Sequence, residues 1–449
     1  MRVQHVTIVH KRTEPNYNPL DSQIYSFSLK TNYQQPFHQT MVTETTKPHV
    51  LIVGAGLGGL TLAQCLRKQG VSFEIFERDA SAVARPAGWA IALHSILNEL
   101  ISSVPADMPP LKEKVDHLQP LNLNAQIGLY YKGVRYVAEN TAEIPVIRAN
   151  RFRFREWLST QIPIQWGKEV KGVQEDSNGV RLVFEDGTTA VGDIVVGADG
   201  INSIVREHLL QRPNRDVLIN LPMSFIVGET TLSGTAFERM LSLGHSCYAT
   251  SSEDGSYSIF VGLNQANPGG YSGQYYWYLM VEDHDVGKPD HWLQTATQAE
   301  KLSYAIKTTE PLACRFTEVI RSTLLSGVRN APFILRELEL GDLPKSRVTI
   351  LGDAAHPMTP FRGEGGMQAI RDALNLSKIL GRLSSNERRD IEASLAPYQQ
   401  EMLDRGAKAV EASRNALKQN AKRDGKVVAW GQNAVTMPEE NITLENCRS

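Results

Sequence analysis

The sequence predicts an α/β protein in which a parallel, Rossmann-like sheet is interleaved with an antiparallel sheet and followed by a helical C-terminus. Three observations carry this expectation. Val50-Leu51-Ile52-Val53 is a continuous apolar run, as in a strand buried on both faces, and a glycine cluster and an apolar helical stripe follow it. Between about 210 and 340 the text becomes strand-like and aromatic, as in Tyr257-Ser258-Ile259-Phe260-Val261 and Tyr275-Tyr276-Trp277-Tyr278-Leu279-Met280. After Gly365 the apolar residues recur three and four apart, with Met367, Ile370 and Leu374 on one stripe.

In chain order, residues 1–46 read as an extension without a core pattern. They contain no apolar segment of the kind a signal peptide needs. From Pro48 the pattern changes abruptly. After the first strand, Leu60, Ala63 and Leu66 lie on one side of a helix that ends at Gly70. Val71, Phe73 and Ile75 then alternate with Ser72 and Glu74 in a second strand ending at Glu77. Such a strand, helix, strand unit is parallel with a right-handed crossover. Val180–Phe184 runs into the hairpin signal Asp186-Gly187, and 193–198 and 347–351 read as further buried strands. The expected divisions are 47–210 for the first part of the nucleotide domain and 211–345 for the antiparallel sheet. Residues 346–420 return to the nucleotide domain and form the terminal helices, and 421–449 form a tail.

The bulk properties narrow the function. A formal net charge of −2 over 449 residues gives no basis for a nucleic-acid partner. No run approaches the roughly twenty apolar residues that span a bilayer. Cys65, Cys247, Cys314 and Cys447 are far apart, without a CxxC or Cys/His cluster, so neither a metal site nor a disulfide framework is expected. An intracellular setting follows as the expectation.

Three segments carry chemistry. Gly54-Ala55-Gly56-Leu57-Gly58-Gly59 is a GxGxxG between a buried strand and a helix. Gly54 serves the tight turn, Gly56 lets the backbone approach a diphosphate, and Gly59 lets the helix pack closely on the strand. The helix N-terminus offers N–H groups to phosphates. Glu77 stands where a Rossmann-like site places an acceptor for ribose hydroxyls. The second segment is Asp199-Gly200-Ile201-Asn202-Ser203-Ile204-Val205-Arg206 and the third is Gly352-Asp353-Ala354-Ala355-His356-Pro357-Met358-Thr359-Pro360, each after a strand.

These two segments match the DGxxSxxR and GDAAHxxxP patterns of flavoprotein hydroxylases. Between about Pro48 and Asn420 the chain resembles the single-component FAD-dependent monooxygenases of the p-hydroxybenzoate hydroxylase type. Phe361-Arg362-Gly363-Glu364-Gly365-Gly366 is similar to the tetracycline-degrading and fungal branches. The resemblance implies a Rossmann-like FAD domain with Asp199 and Asp353 at the cofactor, Asp353 on the ribityl chain. It implies that Gly366 opens a helix facing the flavin pyrimidine, and that Met367 stands where relatives often carry Asn. Arg151-Phe152-Arg153-Phe154-Arg155-Glu156-Trp157-Leu158 resembles the family's RxxLRxxL helix, which assigns Arg151 to FAD, with Arg148 as the competing position. Gly88-Trp89-Ala90-Ile91-Ala92-Leu93 resembles the strand passing the flavin, with Ala90 in backbone contact and Trp89 either core or active-site wall. For Asp353 the competing role is a helix N-cap, and for His356 the residues favour structure over acid–base work.

The implied reaction uses NAD(P)H to reduce the flavin and O2 as the source of one oxygen atom for a small organic substrate. The cofactor carries the hard chemistry, and no catalytic side chain is singled out. The rivals are another flavin oxidation on the same scaffold and a non-catalytic protein that keeps the fold. The missing WxWxIP motif disfavours a halogenase. Intact GxGxxG, DG and GD segments disfavour an empty scaffold.

Overall fold

A computed structural model describes residues 47–84, 88–131, 134–143, 145–331, 333–420 and 435–436. The expectations for 1–46 and for nearly all of 421–449 lie outside the described residues. Within them, no helix is long and apolar enough to cross a membrane.

Five short strands form the parallel sheet, in the spatial order Val348–Ile350, Ile194–Gly197, Val50–Val53, Phe73–Glu77, Ile164–Trp166. The central strand has no exposed residue, which explains its uninterrupted apolar run. Its neighbours are in register with it: Val53 pairs with Gly197 on one side and Phe76 on the other, and Gly197 pairs with Ile350. The carboxyl ends of three adjacent strands are therefore level. The Gly54 turn, Asp199 and Asp353 all emerge there, although the chain travels nearly 300 residues between the first and the last. In open parallel sheets that edge is where ligands bind.

The helices Leu57–Gln69 and Gly365–Leu380 pack together on this sheet. A Cβ at Gly58 would stand 2.5 Å from Leu351 Cδ1 and 3.3 Å from the Ala369 carbonyl oxygen, so the residue must be small. A three-stranded antiparallel sheet (Val170–Glu175, Val180–Phe184, Thr189–Gly192) accompanies it, and Phe184 meets Phe76 with ring centroids 4.9 Å apart. The Asp186-Gly187 turn joins two antiparallel strands as expected, with Gly187 at φ +81°.

The second sheet runs in the order Met223–Ser233, Ser272–Glu282, Tyr257–Ala266, Cys247–Ser251, Gln126–Tyr131, Val134–Glu139, with Val435–Thr436 beside the last. Every pairing is antiparallel except that of Cys247–Ser251 with Gln126–Tyr131. Two of its strands come from the 47–210 stretch, so the sheet is not confined to 211–345. The period-two alternation sorts its side chains. Ile259, Val261, Tyr275, Trp277 and Leu279 join Phe237, Val319 and Ile320 in a core beneath the helices Gly234–Leu243 and Cys314–Arg321. Phe225, Phe260, Tyr276, Tyr278 and Met280 alternate with them and take the other face.

That second face meets the nucleotide domain through the ladder of Ala90–Leu93 with Ile147–Asn150. Asn150 Nδ2 donates to the Asn264 carbonyl at 3.2 Å, and the Ala266 N–H donates to the His117 carbonyl at 2.8 Å.

Candidate functional site

At the carboxyl edge each glycine of the turn answers a different constraint. Gly54 has φ +104°, and a Cβ there would stand 2.4 Å from the Ala198 carbonyl oxygen. A Cβ at Gly59 would stand 2.1 Å from the Gly54 carbonyl oxygen, so the helix can approach the turn only as glycine. Gly56 is different: the nearest atom to an added Cβ is the Ala198 oxygen, 4.0 Å away, so its front is open. It precedes the helix Leu57–Gln69 without capping it by a side chain.

Glu77 braces this turn from below. Its Oε2 accepts the Ala55 N–H at 2.9 Å and its Oε1 accepts the Asp79 N–H at 3.1 Å. Arg155 Nε donates to the Ala55 carbonyl at 2.9 Å and its guanidinium lies 3.5 Å from Glu77 Oε2. The basic run is thus divided by structure. Arg155 supports the loop, and Arg153 donates to Gln265 Oε1 at 3.1 Å.

Asp199 and Asp353 leave neighbouring strands. Asp199 Oδ2 accepts the Ile204 and Val205 N–H groups at 2.8 and 3.2 Å, whereas its buried Oδ1 has no partner. Burial raises its carboxyl, with the bonds to Ser203 and to these amides acting in the opposite direction. The fully buried Arg206 donates to the carbonyls of Asp353 and Ala354 at 3.2 and 2.9 Å, and also to the Ile201 carbonyl and Asn214 Oδ1. The last residue of the DGxxSxxR segment therefore ties its own loop to the GD loop.

The Asp353 side chain is exposed at the carboxyl edge of the sheet, yet enough protein surrounds the carboxyl for desolvation to raise it above the ordinary 3.8, against the pull of His356, Arg151 and Arg206. It makes no side-chain hydrogen bond among the described residues and caps no helix. Of the two roles weighed for it, the N-cap is absent.

Behind this loop lies a buried charged group. Asp372, fully buried, accepts the Gly352 N–H at 2.7 Å and faces His356 Nε2 at 2.8 Å and Arg405 at 2.5 Å. Burial alone would lower His356, but the Asp372 carboxylate outweighs it and the imidazole is raised. His356 points into this network and packs against Gly406, where a Cβ would be 2.6 Å from its ring. The structural role is the one the geometry shows.

The adjoining wall contains Ala90, Arg151 and Gly366. Ala90 pairs with Asn150, which caps the helix Arg151–Leu158 by accepting the Arg153 N–H. The Arg151 N–H donates to the Trp89 carbonyl at 2.8 Å, and Arg151 lies across Gly88, whose φ is +83° and whose Cβ would be 2.9 Å from the guanidinium. At Gly366 a Cβ would approach Ile91 Cδ1 to 3.3 Å and Leu57 Cδ1 to 3.7 Å. The first turn of the helix Gly365–Leu380 thus fits between the strand and the glycine-rich helix. Met367 turns away and is core.

Trp89 belongs to the wall. It stacks on Tyr276 at 4.9 Å between centroids, meets Tyr278 edge-on at 5.2 Å, and carries the Arg329 guanidinium 4.3 Å from its centroid. Its Nε1 donates to Glu229 Oε1 at 3.1 Å, and Arg329 pairs with the same oxygen at 3.3 Å. Arg148, the competitor of Arg151, points to the second sheet, where it donates to the Tyr276 hydroxyl at 2.6 Å.

The open backbone at Gly56, the unpartnered Asp199 Oδ1 and the Asp353 carboxylate facing the cleft fit a polar, hydroxyl-rich ligand with phosphates. The family model for the FAD binding domain matches residues 47–413. Over 372 residues the chain is 50% identical to the FAD-dependent monooxygenase thnD of Trichoderma harzianum, covering 82% of this chain and 92% of that protein. The chain belongs to the FAD-binding-domain family of monooxygenases. A second relative is the FAD-dependent monooxygenase cctM of Talaromyces islandicus, 28% identical over 381 residues, which cover 81% of this chain and 90% of that protein. The fold of this monooxygenase is shared with 2,6-dihydroxypyridine-3-hydroxylase from Arthrobacter nicotinovorans, at a TM-score of 0.65, 17% identity and 89% and 100% coverage of the two chains. It is shared also with Klebsiella pneumoniae HpxO, solved with FAD and uric acid, at a TM-score of 0.63, 20% identity and 84% and 89% coverage.

In the monooxygenase the structure brings Gly54, Gly56, Gly59, Glu77, Asp199 and Asp353 to one edge and sets Ala90, Arg151 and Gly366 on the wall beside it. Sequence reasoning missed the supports Asp372 and Arg155. An aspartate among the apolar positions Ile370, Ala373 and Leu374 was the available signal for the first. The buried pair has a consequence for pH. His356 is raised from its ordinary 6.5, so its contribution is complete below that value and lost as pH rises through the folded value. Asp372 is lowered from 3.8, because His356 and Arg405 outweigh its burial, and its contribution is lost as pH falls through the folded value. His356→Gln is expected to destabilise the fold near pH 6, where it removes one of the two cations that face Asp372 and leaves Arg405 as the other. The difference in melting temperature from the parent should shrink as pH rises above 6.5; a constant difference would contradict a charged pair.

Proposed function

We propose that this monooxygenase uses NAD(P)H and O2 to insert one oxygen atom into a small aromatic or apolar molecule. The molecule would lie between the Ala90–Leu93 wall and the aromatic face of the second sheet. The observation that carries the reading is that face itself. Tyr276, Tyr278, Phe260 and Phe225 line it, Trp89 reaches over from the nucleotide domain, and Phe333 and Phe361 pack against Phe225 with centroids 5.8 and 6.2 Å away. Such a surface excludes water and favours flat, apolar ligands.

In this reading FAD, when bound, supplies the electron transfer and the O2 chemistry. The protein holds it through backbone at Gly54 and Gly56, the helix N-terminus beside Gly59, and the carboxylates of Glu77, Asp199 and Asp353. Arg151 brings positive charge beside Asp353, and Ala90 and Gly366 supply close backbone. The N–H groups of the first turn at Gly365–Gly366 suit the electron-rich ring of a reduced flavin. The chain has one GxGxxG, so NAD(P)H visits without a second Rossmann domain. The scattered cysteines, of which Cys65 and Cys247 are buried and unpaired, support an intracellular setting.

Asp353→Ala removes a charge-assisted bond of about 1.5–3 kcal/mol to the ribityl chain. FAD affinity is expected to fall by roughly tenfold to a hundredfold, at about 1.4 kcal/mol per decade. The melting temperature of the apoprotein should be unchanged, because the carboxylate bonds to nothing in the fold. Unchanged affinity by fluorescence titration would remove Asp353 from the site. For the reaction, incubation of the FAD-loaded enzyme with NADPH or NADH, labelled 18O2 and candidate aromatic metabolites should yield a product bearing one 18O atom. Coenzyme oxidation should match it in amount. A product that has lost two hydrogens and carries no label would make the enzyme a dehydrogenase.

A further inference from the structure

The second sheet carries a cavity on the face away from the aromatic one. Its volume is about 990 Å³, and it opens where the strands Gln126–Tyr131 and Val134–Glu139 meet, beside the loop 250–257 and the segment 311–316. Tyr130, Tyr257 and Phe316 line it from the core beneath. Two guanidiniums converge on one of these rings. Arg135 lies 5.9 Å and Arg315 6.0 Å from the Tyr130 centroid, and Arg315 is also 4.9 Å from that of Phe316. Arg135 is buried on its strand, whereas Arg315 is exposed at the start of its helix. The loop contributes the acids Glu253 and Asp254, and Asp254 is engaged locally by the Ser256 N–H at 3.0 Å and hydroxyl at 2.8 Å. Paired arginines above an aromatic floor suit an occupant that carries carboxylates and apolar side chains.

The chain itself brings such groups toward this place. Val435–Thr436 pairs antiparallel with the outer edge of Val134–Glu139, Val435 opposite Val137 and Thr436 opposite Tyr136. That ladder therefore runs in the direction of Arg135 and Val134, the two residues of the strand that line the cavity. The sequence continues Met437-Pro438-Glu439-Glu440-Asn441-Ile442-Thr443-Leu444. A proline has no N–H to give to a ladder and ends strand pairing. Two acids follow it at once, and then Ile442 and Leu444 in alternation with polar residues. At strand spacing the acids come roughly 10–13 Å beyond Thr436.

We propose that this cavity is the seat of the chain's own segment 437–444, with Glu439 and Glu440 on Arg135 and Arg315. Continuing the register sets Met437 opposite Arg135 and Pro438 opposite Val134, where the ladder stops and the segment turns into the cavity. The carboxylates meet the guanidiniums in charge-assisted bonds, and Ile442 and Leu444 cover the tyrosine and phenylalanine rings. Strand addition at a sheet edge captures a segment through its backbone, and the pockets beyond the edge select its side chains. It also covers an edge that would otherwise be open to pairing with another chain. The segment follows the helix Arg388–Asn420, whose Arg405 and Ser413 hold Asp372 and Thr359 beside the GD loop. The seat thereby fastens a strap from that helix to the edge of the second sheet, and it stands apart from the reaction proposed above.

The test follows amide hydrogen exchange in the full-length, FAD-loaded protein. Residues 437–444 are expected to exchange at least tenfold more slowly than a free peptide of the same sequence. Glu439→Lys together with Glu440→Lys should remove that protection and speed exchange in 311–316, with FAD content intact. Arg315→Glu alone should do the same, and combining it with the two lysines should restore the protection by exchanging the charges. Exchange of 437–444 at the free-peptide rate in the parent overturns the proposal. So does protection that ignores all of these charge reversals. Protection that fades on tenfold dilution assigns the seat to the segment of a second copy and overturns the intramolecular strap. Each of these outcomes leaves the 18O result untouched.

Discussion

The guanidinium of Arg206 is the point on which the site depends. It lies within the fold with no exposed surface and spends its donors on the carbonyls of Ile201, Asp353 and Ala354 and on Asn214. Desolvating a cation is costly, and only a nearly complete set of acceptors offsets it. Burial lowers its pKa to about 10, which leaves it charged at neutral pH. The consequence is geometric. Two loops separated by some 150 residues of sequence are held at a fixed separation, one turning Asp199 inward and the other presenting Asp353 to the cleft. Asp372 supports the second loop from behind by accepting the Gly352 N–H. Both loops of the edge are thus held through their backbone by buried charged groups, Arg206 and Asp372.

The second sheet presents an aromatic face to the nucleotide domain. Its two faces follow from strict alternation, so the same aromatic-rich strand Ser272–Glu282 fills a core with Tyr275 and Trp277 and faces the cleft with Tyr276 and Tyr278. Trp89 links this face to the cofactor side, with its indole N–H on Glu229 and its backbone carbonyl on the Arg151 N–H. The same two parts are also joined by Asn150 to Asn264, Arg153 to Gln265 and Arg148 to Tyr276.

Much of this was legible in the sequence because steric rules leave few alternatives. Gly54 and Gly59 are positions where a Cβ would overlap backbone, and the apolar run Val50–Val53 is a strand with no wet face. The DG and GD segments could be placed at the same edge because each follows a buried strand. What could not be read is partnership. Glu77 was expected to serve a ribose; its oxygens are also engaged by the Ala55 and Asp79 N–H groups, which no spacing announces. Arg148 and Arg151 were indistinguishable as letters three apart, and separated only once strand and helix geometry sent one to Tyr276 and the other across Gly88. The strands Gln126–Tyr131 and Val134–Glu139 lie outside the aromatic-dense region, although Ile127, Leu129 and Tyr131 already alternate.

In the proposed function, one edge built from segments far apart in sequence closes on FAD beneath the aromatic face. Amide hydrogen exchange of the apoprotein with and without FAD tests it directly. The expected result is protection in 54–60, 88–92 and 352–367 together, with the helices Gln298–Thr308 and Cys314–Arg321 on the far side of the second sheet unchanged. Protection confined to the glycine-rich turn, or appearing in those far helices, would contradict it.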